Sequence, residues 1–227
     1  MPSKKMFEPC YMCKNIAVTR EHAPPKSLFP IGYRKDLFPR IPSCKKHNID
    51  KSDADELLKF ILGTSVSSSD FANNEVFPGI LRGLQEKPGK TRVLKGMRLA
   101  RVYGEEVGVF DLPLEDVISL FDPVFRGLYY VHYGIAWLWK ITVAIPASAY
   151  FKYSDPGNNQ ARLRVERISA EYFKEKPRIG NNQQVFYYQQ DGADDALVMR
   201  AVFYGNFAVN AFFNPNLWRK RTGIKLW

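Results

Sequence analysis

Thr19-Arg-Glu-His-Ala-Pro-Pro-Lys-Ser-Leu-Phe29 stands between two short ligand pairs, Cys10-x2-Cys13 and Cys44-x2-His47. Cys10, Cys13 and Cys44 are the only cysteines in the chain. An odd count argues against a closed disulfide framework. With His47 they complete one tetrahedral set of thiolate and imidazole donors, which is the donor set zinc uses. A two-residue gap lets one turn offer both ligands of a pair. A closed site of four protein ligands is structural rather than catalytic. It would hold together a segment too small to be stable on its own core. The alternative is three unrelated buried cysteines.

Cys44, His47, Asn48, Lys51 and Asp55 are spaced by three and four, so on a helix they share one face. Ser43 is the expected N-cap of that helix. Leu57, Leu58, Ile61 and Leu62 would carry it on into a core.

The stretches TREHAPPKSLFP and IPSCKKHNIDKS resemble the HNH (ββα-metal) endonuclease family. The shared order is CxxC, an acidic-His pair, a proline and lysine, then a second zinc pair followed by Asn-x-x-Lys. The resemblance covers residues 8–62, with a weaker echo in Arg126 to Gly134 (RGLYYVHYG). It implies a β-hairpin followed by a helix, clasping one divalent ion. It also implies that His22 is the general base and that Glu21 and Asn48 ligate that ion. Asp53 falls near the last position of the motif and is the further candidate ligand. Many members carry Asp where this chain has Glu21, one methylene longer. The family's middle asparagine has no counterpart among Phe38, Pro39 and Arg40.

The implied chemistry matches the residue types. Deprotonating water near neutral pH suits histidine. Charge building on the phosphate suits Mg²⁺ or Mn²⁺ held by hard oxygen donors. Lys26 and Lys51 would contact the phosphate backbone, or else are solvated lysines.

Outside this segment the chain is a foldable, basic polypeptide. Its 227 residues are 45% hydrophobic and 14% aromatic, which excludes a disordered chain. No apolar run approaches membrane-spanning length, and MPSKKMFEPC lacks an apolar signal region. A soluble cytoplasmic protein with no membrane partner is expected. The formal net charge of +10 favours a polyanionic partner such as nucleic acid. Residues 1–60 alone carry twelve Lys/Arg against seven Asp/Glu, a balance that steers them to DNA or RNA without sequence readout.

The expected fold class is α+β. Residues 1–63 form the zinc-stapled nuclease module, and Gly63 to Asn74 reads as a connector or exposed loop. Residues 75–227 form an α+β substrate- or partner-recognition domain with an antiparallel sheet. Within it, Arg92 to Phe110 is ambiguous. Leu114 to His132 reads as helix, with Pro123 as a break or first-turn residue. Trp137 to Ile145, Val185 to Gln189 and Ala196 to Val209 read as strands. His132 is expected in the core, and Asn73-Asn74, Asn158-Asn159 and Asn181-Asn182 at loop tips. The tail from Asn216 to Trp227 carries Arg219, Lys220, Arg221 and Lys225 beside Trp218 and Trp227. It suits phosphate contacts with base stacking, or is simply a solvated basic end.

The resulting expectation is a metal-dependent endonuclease acting on DNA, in restriction, anti-phage defence or mobile-element cutting. Its rival is a non-catalytic zinc-containing nucleic-acid-binding or scaffold protein. A third reading is a subunit active only with a protein partner engaged by the carboxy-terminal domain.

Overall fold

The segment around His22 yields two strands of only three residues each. In the computed structural model, which describes residues 8–65, 69–86, 97–102, 105–110, 112–146, 156–192 and 196–222, β1 (Thr19–Glu21) pairs antiparallel with β2 (Ile41–Ser43), Arg20 opposite Pro42. A hairpin this short is not stable alone. It is followed by α1 (Lys45–Asn48), a 3-10 turn (Ile49–Lys51) and α2 (Ser52–Thr64). The expected continuous helix is therefore two helices with a tighter turn between them. Cys44, not Ser43, is the N-cap. Ser43 ends β2, and its carbonyl accepts from the Val18 N–H, so Cys44 is the first residue free to turn. Asp53 and Asp55 lie in the first turn of α2, where the helix dipole favours negative charge. Leu58 and Leu62 are its buried stripe.

After α2 come α3 (Phe77–Glu86), the antiparallel pair β3 (Met97–Val102) and β4 (Glu105–Phe110), and α4 (Leu114–Tyr133). The remainder is β5 (Thr142–Ala144), α5 (Pro156–Phe173), β6 (Phe186–Asp191), β7 (Val198–Phe203), β8 (Phe207–Phe212) and α6 (Pro215–Thr222). The four strands form one antiparallel sheet in the order β5-β8-β7-β6. The fold is α+β.

The sheet's pleat sorts residues onto two faces. Met199, Ala201, Phe203, Phe207, Val209 and Ala211 join the main core with α2 and α4. Val198 and Phe212 pack on Phe173 of α5, and Ser169 of α5 donates to the Asn210 Oδ1 on the same face. Both faces are covered, which is why β8 is buried at every position. The main core also takes Leu28, Phe29, Leu58 and Leu62, so the amino-terminal segment and the sheet share it. No helix among the described residues is long and apolar enough to cross a membrane.

Several local expectations change. Gly63 and Thr64 belong to α2, and Ala72–Val76 is a π-helical turn leading into α3. Gly63 and Ala72 are buried while Asp70, Asn73 and Asn74 are exposed, so the described part of Gly63 to Asn74 is mostly helical with one side in the core; residues 66–68 lie outside the described residues. Pro123 does not break α4, because Phe121, Val124 and Phe125 on either side are buried, and their packing outweighs the lost hydrogen bond. Trp137 is buried but only Thr142–Ala144 of its stretch is strand. Ala196 to Val209 folds as two strands around a turn at Tyr204 to Asn206. His132 is exposed, bonding Gln190 through Nε2 at 2.7 Å, rather than packed in the core. Asn73-Asn74 and Asn158-Asn159 are helical, and Asn159 is buried. Arg92 lies outside the described residues.

The hairpin meets α4 at Gly127. A Cβ there would collide with the Ala23 Cβ and lie 3.1 Å from the Ile41 Cδ1. Gly127→Ala is therefore expected to cost about 1–3 kcal/mol in urea unfolding. Gly83→Ala, on open helix surface with nothing within 4 Å, should instead gain up to about 1 kcal/mol. A neutral Gly127→Ala would mean that hairpin and α4 do not touch this closely.

Candidate functional site

Cys10, Cys13, Cys44 and His47 converge, with all four ligand atoms within 4.8 Å of one another. The His47 Nδ1 lies 3.4 Å from both the Cys10 Sγ and the Cys44 Sγ, and the Cys13 Sγ lies 3.9 Å from the Cys44 Sγ. With Zn–S about 2.3 Å and Zn–N about 2.0–2.1 Å, a tetrahedral site has N···S edges of about 3.5 Å and S···S edges of about 3.8 Å. The cluster is compatible with a structural metal such as zinc. The turn that brings Cys10 and Cys13 together is closed by Cys13 N–H on the Cys10 carbonyl and docked on β2 by Tyr11 N–H on the Pro42 carbonyl.

The electrostatics suit ligation. Burial, then the charges of Lys46, Lys51 and Arg126, push the His47 imidazole down, so it stays neutral. Burial pushes the Cys44 thiol up, but backbone N–H groups of His47 and Lys46 and the neighbouring thiols outweigh it, and the net shift is downward. Cys13, raised chiefly by burial to about 11, remains a thiol unless a cation draws off its proton.

Beside the cluster, β1 is locked to the helical segment by two polar rungs. The Asn48 Nδ2 donates to the Thr19 Oγ1 at 2.7 Å, and the Lys51 Nζ pairs with the Glu21 Oε2 at 2.8 Å. Thr19 and Glu21 are two apart on a strand and Asn48 and Lys51 three apart on a turn, so each pair shares a face. Glu21 is buried, and the Lys51 side chain is only 12% exposed. The Lys51 Nζ also lies 3.6 Å from the Asp55 Oδ1. Burial pushes the Glu21 carboxyl up against the pull of Lys51. The Glu21 Oε1 and the Tyr11 hydroxyl are both buried without a well-formed hydrogen bond. They face one another closely enough that Glu21, after burial, raises the Tyr11 hydroxyl.

His22 follows β1 directly, and its Nδ1 lies 3.1 Å from the Phe38 carbonyl. A carbonyl only accepts, so Nδ1 is the donor of this bond, and Nε2 has no hydrogen-bond partner among the described residues. Phe38 is itself anchored: its ring packs edge-on against Phe186 and tilted against Tyr188. Asn182 Nδ2 donates to the Tyr33 and Lys35 carbonyls, and Asn181 Nδ2 to the Asp36 carbonyl, pinning the same loop. The group that faces the His22 Nδ1 is thus a main-chain carbonyl, an acceptor no motif reveals.

The other expected residues are dispersed. Asp53 is exposed and makes no ion pair among the described residues. Lys26 is exposed on the 3-10 turn Lys26–Leu28. Lys51, expected at a phosphate, is turned inward onto carboxylates. Arg219 and Lys220 are exposed on α6, and Arg221 lies on the same helix; residues 223–227 of the tail lie outside the described residues. Thr19, Tyr11 and the Phe38 carbonyl are the site groups that motif reading missed. Thr19 was reachable, since period two puts it on the Glu21 face. Comparison with protein-family models, curated proteins and solved structures finds no match.

A chelator under reducing conditions is expected to destabilise the fold by about 5 kcal/mol or more, as loss of a structural ion would. Cys44→Ala should reproduce this without chelator; unchanged Tm in both, with no metal by emission spectroscopy, would refute a resident ion. Lys51→Met leaves two carboxylates uncompensated and should cost about 3 kcal/mol. Adding Glu21→Gln to that variant should recover part of the loss, and strict additivity in urea unfolding would deny the pair's coupling.

Proposed function

We propose that this protein is a metal-dependent endonuclease that hydrolyses phosphodiester bonds in DNA, built on a ββα hairpin-helix stapled by zinc. The observation that carries the reading is the His22 Nδ1–Phe38 carbonyl hydrogen bond beside the Cys/His cluster. Thiolate and imidazole donors favour zinc over a hard cation in that cluster. The basic charge of the chain supports a polyanionic substrate. The resemblance to HNH endonucleases extends the proposal to bacterial restriction or anti-phage defence.

In this mechanism the His22 Nε2 takes a proton from the water that attacks phosphorus. The Phe38 carbonyl keeps the ring oriented and accepts from the Nδ1–H of the imidazolium that forms. As the P–O bond breaks, the leaving oxygen departs with its electron pair. The Glu21 carboxylate and the Asn48 amide oxygen would hold a hard divalent ion, with Asp55 within 3.6 Å of the Lys51 Nζ as that ammonium's other partner. Such an ion, when bound, supplies neutralisation of the developing negative charge.

The Lys51–Glu21 ion pair favours a second reading, a non-catalytic zinc-containing nucleic-acid-binding or scaffold subunit, because it already neutralises the carboxylate. Plasmid cleavage with Mg²⁺ or Mn²⁺ separates the two. Wild type is expected to nick or linearise supercoiled DNA, and His22→Ala, with its zinc retained, to lose at least about a hundredfold in rate. Equal cutting by both variants would remove His22 from the mechanism. Metal-independent binding without cutting would favour the scaffold reading.

A further inference from the structure

α4 ends at Gly134, which takes a left-handed φ of 71° and donates its N–H to the Tyr130 carbonyl. The loop that follows leaves apolar side chains in solvent: Ile135 is 60% exposed, Leu138 41% and Trp139 69%. Three large exposed apolar side chains so close together make a patch of the kind that marks an interaction site. Lys140 is exposed beside them. The loop is held in place. The Arg126 Nη1 donates to the Trp137 carbonyl, while its Nε pairs with the Asp122 Oδ2 at 2.6 Å. The buried Trp137 ring packs on Tyr129 at 5.3 Å and meets the exposed Trp139 ring edge to face at 5.1 Å.

The same buried ring joins the patch to α6. Phe213 stands edge to face with Trp137 at 5.4 Å, and α6 begins two residues later at Pro215. The Asn214 Oδ1 accepts from the Leu217 N–H at 3.3 Å and so ties down the start of that helix. α6 carries Arg219, Lys220 and Arg221 and no acid, and Arg219 and Lys220 are exposed. Gly134 to Lys140 carries no acid either. An exposed indole, a neighbouring lysine and an acid-free basic helix suit a single strand, whose unpaired bases stack on aromatic rings while its phosphates meet cations. Paired bases in a duplex are already stacked and do not offer their faces. α4 also joins the patch to the candidate base. A Cβ on Gly127 would meet Ala23, the residue after His22. From Gly127 to Gly134 is about 10 Å of helix. One polymer spans both, which favours nucleic acid over an anionic lipid surface.

We propose that Trp139 is a stacking platform for an unpaired base, with Lys140, Arg219 and Lys220 taking nearby phosphates, so that the chain engages a single-stranded segment of nucleic acid. The choice of polymer rests on the nuclease reading; the stacking surface and its charge do not. The test uses the full chain without added Mg²⁺ or Mn²⁺. Anisotropy is read on a labelled oligothymidylate and on a labelled duplex of equal length, each over a salt series. Wild type should bind the single strand more tightly than the duplex. Trp139→Ala should weaken single-strand binding about five- to a hundredfold, the loss of one stacked base, and leave the salt slope unchanged. Trp139→Phe should keep most of the affinity, and Trp139→Leu, apolar but without a π face, should not. Arg219→Gln combined with Lys220→Gln should weaken binding and lower the single-strand slope by about one to two. Tm is measured for each variant. Folded Trp139→Ala and Trp139→Leu variants that bind the single strand like wild type would overturn the platform and leave the nuclease reading standing. A wild type that binds neither nucleic acid would sink both. Co-sedimentation with phosphatidylserine vesicles that depends on Trp139, beside single-strand affinity that does not, would overturn the assignment in favour of a lipid surface.

Discussion

The convergence of Cys10, Cys13, Cys44 and His47 is the constraint on which the amino-terminal geometry depends. Its ligands come from two turns more than thirty residues apart. The strands between those turns pair over three residues only. Three paired residues do not repay the entropy of closing such a loop. Four ligand atoms drawn onto one ion would, and their convergence sets where the helical segment begins. The polar rungs Thr19–Asn48 and Glu21–Lys51 then set the register between strand and helix.

The hairpin is nevertheless not a self-sufficient unit. Ala23 and Ile41 lie against Gly127 of α4, and Leu28 and Phe29 enter the core that the large sheet builds. The Tyr204 hydroxyl donates to the Leu28 carbonyl at 2.8 Å. The loop that presents the Phe38 carbonyl to His22 is held by Asn181, Asn182, Phe186 and Tyr188. The orientation of the candidate base is therefore a property of the second half of the chain. A sheet buried on both faces supplies the rigidity that a short hairpin lacks.

Charge is distributed in a way that composition conceals. The segment is basic overall, yet its Lys51 ammonium, only 12% exposed, is absorbed by Glu21 and Asp55. Lys59, eight residues later, has no carboxylate within ion-pair distance among the described residues. Identical side chains on one helical segment thus stand in different surroundings, because the fold brings the Glu21 carboxylate of β1 to one and not to the other.

The Cys/His cluster was legible because ligand spacing is local: a two-residue gap makes a turn whatever surrounds it. The order of hairpin then helix was expected from the resemblance alone, whereas the shared face of Lys51 and Asp55 was legible from their spacing of four. The α+β class with an antiparallel sheet followed from short β-branched and aromatic runs. What the sequence could not carry were relations between distant segments. The acceptor for His22 is a main-chain carbonyl, which has no side-chain signature. The inward turn of Lys51 follows from burial of Glu21, and burial is decided by what packs on β1. The continuity of α4 through Pro123, the helical state of Asn158-Asn159 and the burial of Ala72 all reflect packing that overrides local preference. Sequence alone determined which side chains could bind a metal and which could move a proton. Only the tertiary structure decided which of them meet, because contacts across a hundred residues are set by the shared core and not by spacing along the chain.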